Sequence, residues 1–192
     1  MQTSFYSDQE LSELGLKSFG KNVRLSRKAS IYNPDQIEIG NNVRIDDFCI
    51  LSGRIRLGNY IHIAAYSGLF GSEGITMEDY SGLSSRVSIY TVSEDYLGNG
   101  LTNPTIPAAY RHPIKGPVTL EKHVILGVGA VVLPGVTISI GTAIGALALV
   151  SSNCEPWKIY VGIPAKAKRE RRSDIILAYQ SRLEAETQDQ NH

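Results

Sequence analysis

The chain has 192 residues, 42% hydrophobic and 20% charged, with 19 Lys plus Arg against 19 Asp plus Glu. That is one soluble domain with no global charge to draw it to a polyanion, so nucleic acid is not an expected partner. Cys49 and Cys154 are too few for a disulfide framework, and no apolar run is long enough to span a membrane. The start MQTSFYSDQE lacks the basic-then-apolar order of a secretion signal, and the chain is read as cytoplasmic, without membrane insertion.

Ser7-Asp8-Gln9-Glu10 has the spacing of a capping box, and Leu11, Leu14 and Leu16 follow it, so a short amphipathic helix is expected first. A repeat of six residues then takes over. Apolar side chains recur at Phe19, Leu25 and Ile31, at Ile39, Ile45, Leu51, Leu57, Ile63 and Leu69, and at Met77, Leu83 and Ile89. They resume at Ile114, Leu120, Leu126, Val132, Ile138, Ile144 and Val150. A period of six fits neither the helical 3.6 nor a long strand. It fits one short strand and one turn, and three such sides close a coil of about eighteen residues. Roughly six coils stacked at about 4.8 Å would make a prism about 30 Å long with apolar ladders inside. Cys49 falls on an inward place as a small buried thiol.

The repeat slips by two residues around Asn33-Pro34 and again between Gly71 and Gly74. Its large interruption runs over 90–113, where Gly98-Asn99-Gly100, Asn103-Pro104, Pro107 and His112-Pro113 exclude strand and helix. A loop of that length inside a compact repeat reads as functional. After Val150 the stretch Pro156 to Pro164 leaves the repeat, and Ser173 to about Gln188 reads as a terminal helix with Ile176, Leu177 and Leu183 on one stripe. The expected organisation is a helical cap over 1–18, coils over 19–155 carrying the loop, and a C-terminal extension over 156–192.

The hexads, the loop, the run Ile125-Leu126-Gly127-Val128-Gly129-Ala130, the Leu133-Pro134-Gly135-Val136 turn, Ile144-Gly145-Ala146 and the ending Gly162-Ile163-Pro164-Ala165-Lys166 together resemble the hexapeptide-repeat acetyltransferases. Most similar are the galactoside, maltose and xenobiotic acetyltransferases and the sugar acetyltransferases of surface-polysaccharide synthesis. The resemblance covers about residues 19 to 172. It implies a mainly β fold, a left-handed parallel β-helix with a protruding loop and a helix at each end. It also implies a homotrimer with active sites between subunits and acetyl-CoA as the acetyl donor.

Acetyl transfer needs a base at the acceptor and a donor for the oxyanion. The resemblance puts a histidine on or near the long loop, and here Glu94 stands about where it belongs, followed by Asp95. A carboxylate serves as base only if a dry cleft raises its pKa, and otherwise this is a solvated acidic pair with Asp95 closing a turn. His62 lies on an outward part of a coil, and His112 ends the loop; each is a candidate or a surface histidine. Ala64 falls where galactoside enzymes carry an acceptor-binding asparagine. His123, on a corner, is expected to face solvent, and His192 belongs to the tail. No metal site is expected, because the histidines have no ligands at suitable spacing.

For the cofactor, the resemblance points to Val128, Ala146 and Ser151 along the pantetheine arm and to Lys166 and Arg169 at the CoA phosphates. The alternative for the basic run 166–172 is the solvated start of the last helix. Trp157 offers a ring to adenine or to the coil end. The leading expectation is an acetyl-CoA-dependent acetyltransferase acting on a sugar hydroxyl in polysaccharide or sugar-nucleotide metabolism. The alternatives are N-acetylation of a nucleotide-linked amino sugar and a non-catalytic scaffold.

Overall fold

The computed structural model describes residues 4–189. His192 lies outside them. Helix α1 (Asp8–Glu13) starts on the expected capping box: Ser7 accepts from the Glu10 N–H, and the Glu10 carboxylate accepts from the Ser7 N–H. Its Leu11 is fully buried against the first coil, which it closes.

The hexads then wind a parallel β-helix. Its first face stacks Arg24–Leu25, Arg44–Ile45, His62–Ile63, Gly82–Leu83, Ile125–Leu126, Ala143–Ile144 and Lys158–Val161. The second face carries Ser30–Tyr32, Ser88–Tyr90, Val131–Val132 and Leu149–Val150, and the third Ile37–Ile39, Val118–Leu120 and Thr137–Ile138. The long strands Ile50–Leu57 and Gly68–Met77 run across both. The side chains of Leu25, Ile45, Ile63, Leu83, Leu126 and Ile144 form one buried ladder because parallel register puts each above the last. Cys49 is wholly buried, as its place in the hexad requires.

Corners turn on left-handed residues. Asn22, Asn42, Tyr60, Tyr80 and His123, all near φ +60°, line the corner before the first face; Phe48, Tyr66, Arg86, Gly129 and Leu147 line the one after it. The bulky residues there stack along the axis, Tyr60 on Tyr80, Tyr80 on His123, and Phe48 on Tyr66.

Four sequence expectations need correction. Ile114 is not a ladder residue: it is 56% exposed, and Ile114–Lys115 pairs antiparallel with Val92–Ser93 to close the loop's base, so the ladder resumes at Leu120. The winding does not end near Val150. Lys158–Val161 adds a seventh strand to the first face, because Tyr160 supplies the inward side chain that the hexad pattern lacks there. His123 is 7% exposed rather than solvent-facing, sandwiched between the rings of Tyr80 and Trp157 and bonded to Gln180 at 2.7 Å. The basic run is not a helix start; Lys166–Glu170 is an exposed strand antiparallel to Lys158–Val161.

Helix α2 (Asp174–Asp189) returns along the Tyr60 corner. It docks with polar groups, Gln180 on His123 and Glu184 on the Tyr80 hydroxyl at 3.1 Å, while Leu177 and Leu183 of the expected stripe stay partly exposed. Arg171 anchors the approach by donating to the carbonyls of His123 and Gly141.

Candidate active site

The outward positions of the first face form a single column. Register pairs Arg24 with Arg44, Arg44 with His62, His62 with Gly82, Gly82 with Ile125, Ile125 with Ala143, Ala143 with Ile159, and Ile159 with Arg169. Midway along it is a depression of about 390 Å³ lined by His62, Ala64, Gly82, Ser84, Ile125 and Val128 among others. Small side chains make its floor. Its wall toward the N-terminal coils is polar and its wall toward the C-terminal coils is apolar.

On the polar wall His62 Nε2 meets Asp46 Oδ2 at 2.8 Å, and Arg44 Nε donates to the other oxygen of that carboxylate at 2.7 Å. Burial pushes the Asp46 pKa up, but the hydrogen bonds from His62 and Arg44 outweigh it and hold the carboxyl below its ordinary range. An ionised carboxylate only accepts, so Nε2 carries a hydrogen, and the tautomer this selects has its lone pair on Nδ1. The carboxylate fixes the orientation of the imidazole.

The loop presents something different. Glu94 forms an ion pair with Arg111, and its second oxygen is buried without a partner. Asp95, 7% exposed, accepts from the Leu97 N–H at 2.8 Å and from the Asn99 N–H. Those backbone bonds, Leu97 first, hold its carboxyl below the ordinary range, the opposite of what a general base needs. His112 is exposed beside Val92, Arg111 and Pro113. Glu94, Asp95 and His112 therefore stand together on the loop, at the corner between the second and third faces. His62 is on the face opposite that corner.

The cofactor candidates divide as well. Val128 and Ala146 sit in adjacent layers of the corner after the first face, where the Leu147 N–H donates to Val128. Ser151 is exposed just beyond Leu149–Val150. Trp157 lies at the other corner, over Gly141, where a Cβ would meet its ring at 2.2 Å, and beside His123. Lys166, Lys168 and Arg169 project from the exposed strand and form no ion pair among the described residues, whereas Arg171 turns inward and Arg172 pairs with Asp174. Hexad spacing did not single out Asp46, Gly82 or Ser84. Stacking successive coils in register would have placed all three around His62.

No protein-family model matches the chain. The chain is 48% identical over 176 residues to the dTDP-4-amino-4,6-dideoxy-D-glucose acyltransferase of Escherichia coli, covering 90% of this chain and 92% of that one. It belongs to that family of hexapeptide-repeat acyltransferases. AntD, an N-acyltransferase from Bacillus cereus, superimposes with a TM-score of 0.93 at 46% identity, over 96% of this chain and 100% of its own; that structure is a serine-to-alanine variant with dTDP-4-amino-4,6-dideoxyglucose and coenzyme A. AntD with dTDP and 3-hydroxybutyryl-CoA gives 0.94 at 47% identity, covering 97% and 100%. The family members share the β-helix, and the present chain is an acyltransferase. Among the described residues no helix is long and apolar enough to cross a membrane.

Proposed function

We propose that this acyltransferase moves an acyl group from a CoA thioester to the amino group of a nucleotide-linked amino sugar. The observation that carries the reading is the likeness to AntD over 96% of the chain, since AntD was solved with an amino sugar nucleotide and coenzyme A. This favours the amine over the sugar hydroxyl, which the resemblance to the sugar acetyltransferases puts first.

In this reading the neutral amine attacks the thioester carbonyl at the depression. The new C–N bond forms, the C–S bond breaks, the nitrogen's proton passes to His62 Nδ1, and the CoA thiolate leaves and takes up a proton. Asp46 orients the ring and offsets the charge it gains. Ser84, in the same depression, offers a hydroxyl to the oxyanion. The pantetheine arm runs past Val128 and Ala146, and Lys166, Lys168 and Arg169 receive the phosphates. The chain's own loop leaves from the corner opposite its His62 face. It reaches such a face only on a neighbouring copy, and a homotrimer is the assembly proposed, with Glu94, Asp95 and His112 contributed across the cleft. Cytoplasmic synthesis of a surface-polysaccharide precursor is the proposed setting.

Thermal melting with ligands tests the reading. Coenzyme A and dTDP should each raise Tm, since a ligand at 100 times its Kd stabilises by about 2.7 kcal/mol. Stabilisation by neither would favour the scaffold alternative.

A further inference from the structure

Glycines in this chain have two evident causes. Gly15, Gly53, Gly74, Gly98, Gly129, Gly135, Gly141 and Gly162 have positive φ, which other residues adopt at a cost. Most of the rest are crowded. At Gly20, Gly40, Gly58, Gly68, Gly71, Gly100, Gly116, Gly127 and Gly145 an added Cβ would lie under 3.0 Å from another atom. Gly82 fits neither group. Its φ is ordinary, and a Cβ there would meet only the His62 carbonyl oxygen, at 3.6 Å, a normal contact.

A glycine inside a strand costs roughly 0.5–1 kcal/mol relative to alanine, and such a position marks either a bend or the close approach of something else. The strand Gly82–Leu83 does not bend: it pairs in register with His62–Ile63 on one side and Ile125–Leu126 on the other. Among the described residues nothing accounts for the missing side chain.

We infer that Gly82 is a specificity-determining residue for the acyl group of the donor, its bare Cα leaving room for chains longer than acetyl. The inference rests on the acyltransfer reading above. Gly82 sits where the wall of the depression changes character. On its N-terminal side stands His62 with Asp46, suited to an amine; on its C-terminal side stand Ile125 and Val128, both exposed and apolar. The apolar wall faces along the column toward the basic strand. Four strand steps at about 4.8 Å separate Gly82 from Arg169, roughly 19 Å, a span suited to an extended pantetheine arm. A thioester anchored by its phosphates on Arg169 and Lys166 therefore delivers its acyl end to Gly82. The depression, at about 390 Å³, is far larger than an acetyl group.

The experiment is a calorimetric comparison of acetyl-CoA and butyryl-CoA binding to the wild type, Gly82→Ala and Gly82→Val, with melting curves to confirm folding. The ratio of the butyryl-CoA Kd to the acetyl-CoA Kd should rise stepwise, by about tenfold in Gly82→Val, the scale of a lost methylene contact in an apolar site. Gly82→Ala, whose Cβ has room, keeps the comparison alive if the valine variant does not fold. A ratio that stays level in both variants, or a wild type that binds neither thioester, overturns the inference. Turnover of the wild type with an amino sugar nucleotide is followed alongside; its absence would count against the amine acceptor while the Kd ratios still decide on Gly82.

Discussion

His62 Nε2 lies 2.8 Å from Asp46 Oδ2, across sixteen residues of sequence but between adjacent layers of the coil. Under the proposed mechanism this pair takes the proton from the amine. Removing the imidazole in His62→Gln should lower kcat by about 10²- to 10⁴-fold with CoA binding retained. Steady-state rates with calorimetric Kd values check this, and an unchanged kcat would remove His62 from the chemistry.

Glu94 makes the contrasting case. Its carboxylate is engaged by Arg111, so Glu94→Gln should lower kcat by less than about tenfold and act mainly on KM through the loop. A loss equal to that of His62→Gln would restore Glu94 as the base.

The exposed and inward arginines of the C-terminal segment should separate cleanly. Lys166→Ala with Arg169→Ala should weaken coenzyme A about tenfold or more at low salt, and less as screening rises. Arg171→Ala should instead lower Tm, because it leaves the carbonyls of His123 and Gly141 without their donor. Titrations at two ionic strengths, with melting curves, read both.

Two titrations set how the ends of the molecule respond to pH. Hydrogen bonds from Arg27 and then Ser7 hold the Glu10 pKa down to about 2 from 4.5. A depressed acid stabilises fully above its unfolded value, so the support it gives α1 is complete above about pH 4.5 and fades as pH falls toward 2. Exchange of the Leu11 amide, bonded to the Ser7 carbonyl, should accelerate over that range. At the other end, burial and then the bond to Glu184 raise the Tyr80 pKa to about 12 from 10. That contribution is whole below pH 10 and is lost as pH climbs through 12. Fluorescence of Trp157, the sole tryptophan and a neighbour of His123, should report the loosening of α2, and Tyr80→Phe should remove this pH dependence.

Much of this architecture is legible in the sequence. The hexads named the inward ladders because a period of six admits few geometries, and Ile63, Leu83 and Leu126 are buried in consecutive layers. The pattern misled where apolar character and spacing agreed by coincidence, as at Ile114. It misjudged His123, which stacks between two rings where a solvent-facing corner was expected, and did not mark Tyr160, whose ring fills an inward place outside the hexad spacing. The candidate site was harder to read. His62 stands out as a residue type, but Asp46 is recognisable as its partner only once the coils are stacked, and the openness at Gly82 depends on what surrounds it in space.

The most direct measurement is the mass of the product formed from acetyl-CoA and dTDP-4-amino-4,6-dideoxyglucose, set against the same nucleotide sugar with a hydroxyl in place of the amine. One acetyl group should be gained by the amine and none by the hydroxyl compound. Equal transfer to both, or transfer to the hydroxyl alone, would contradict amine acylation.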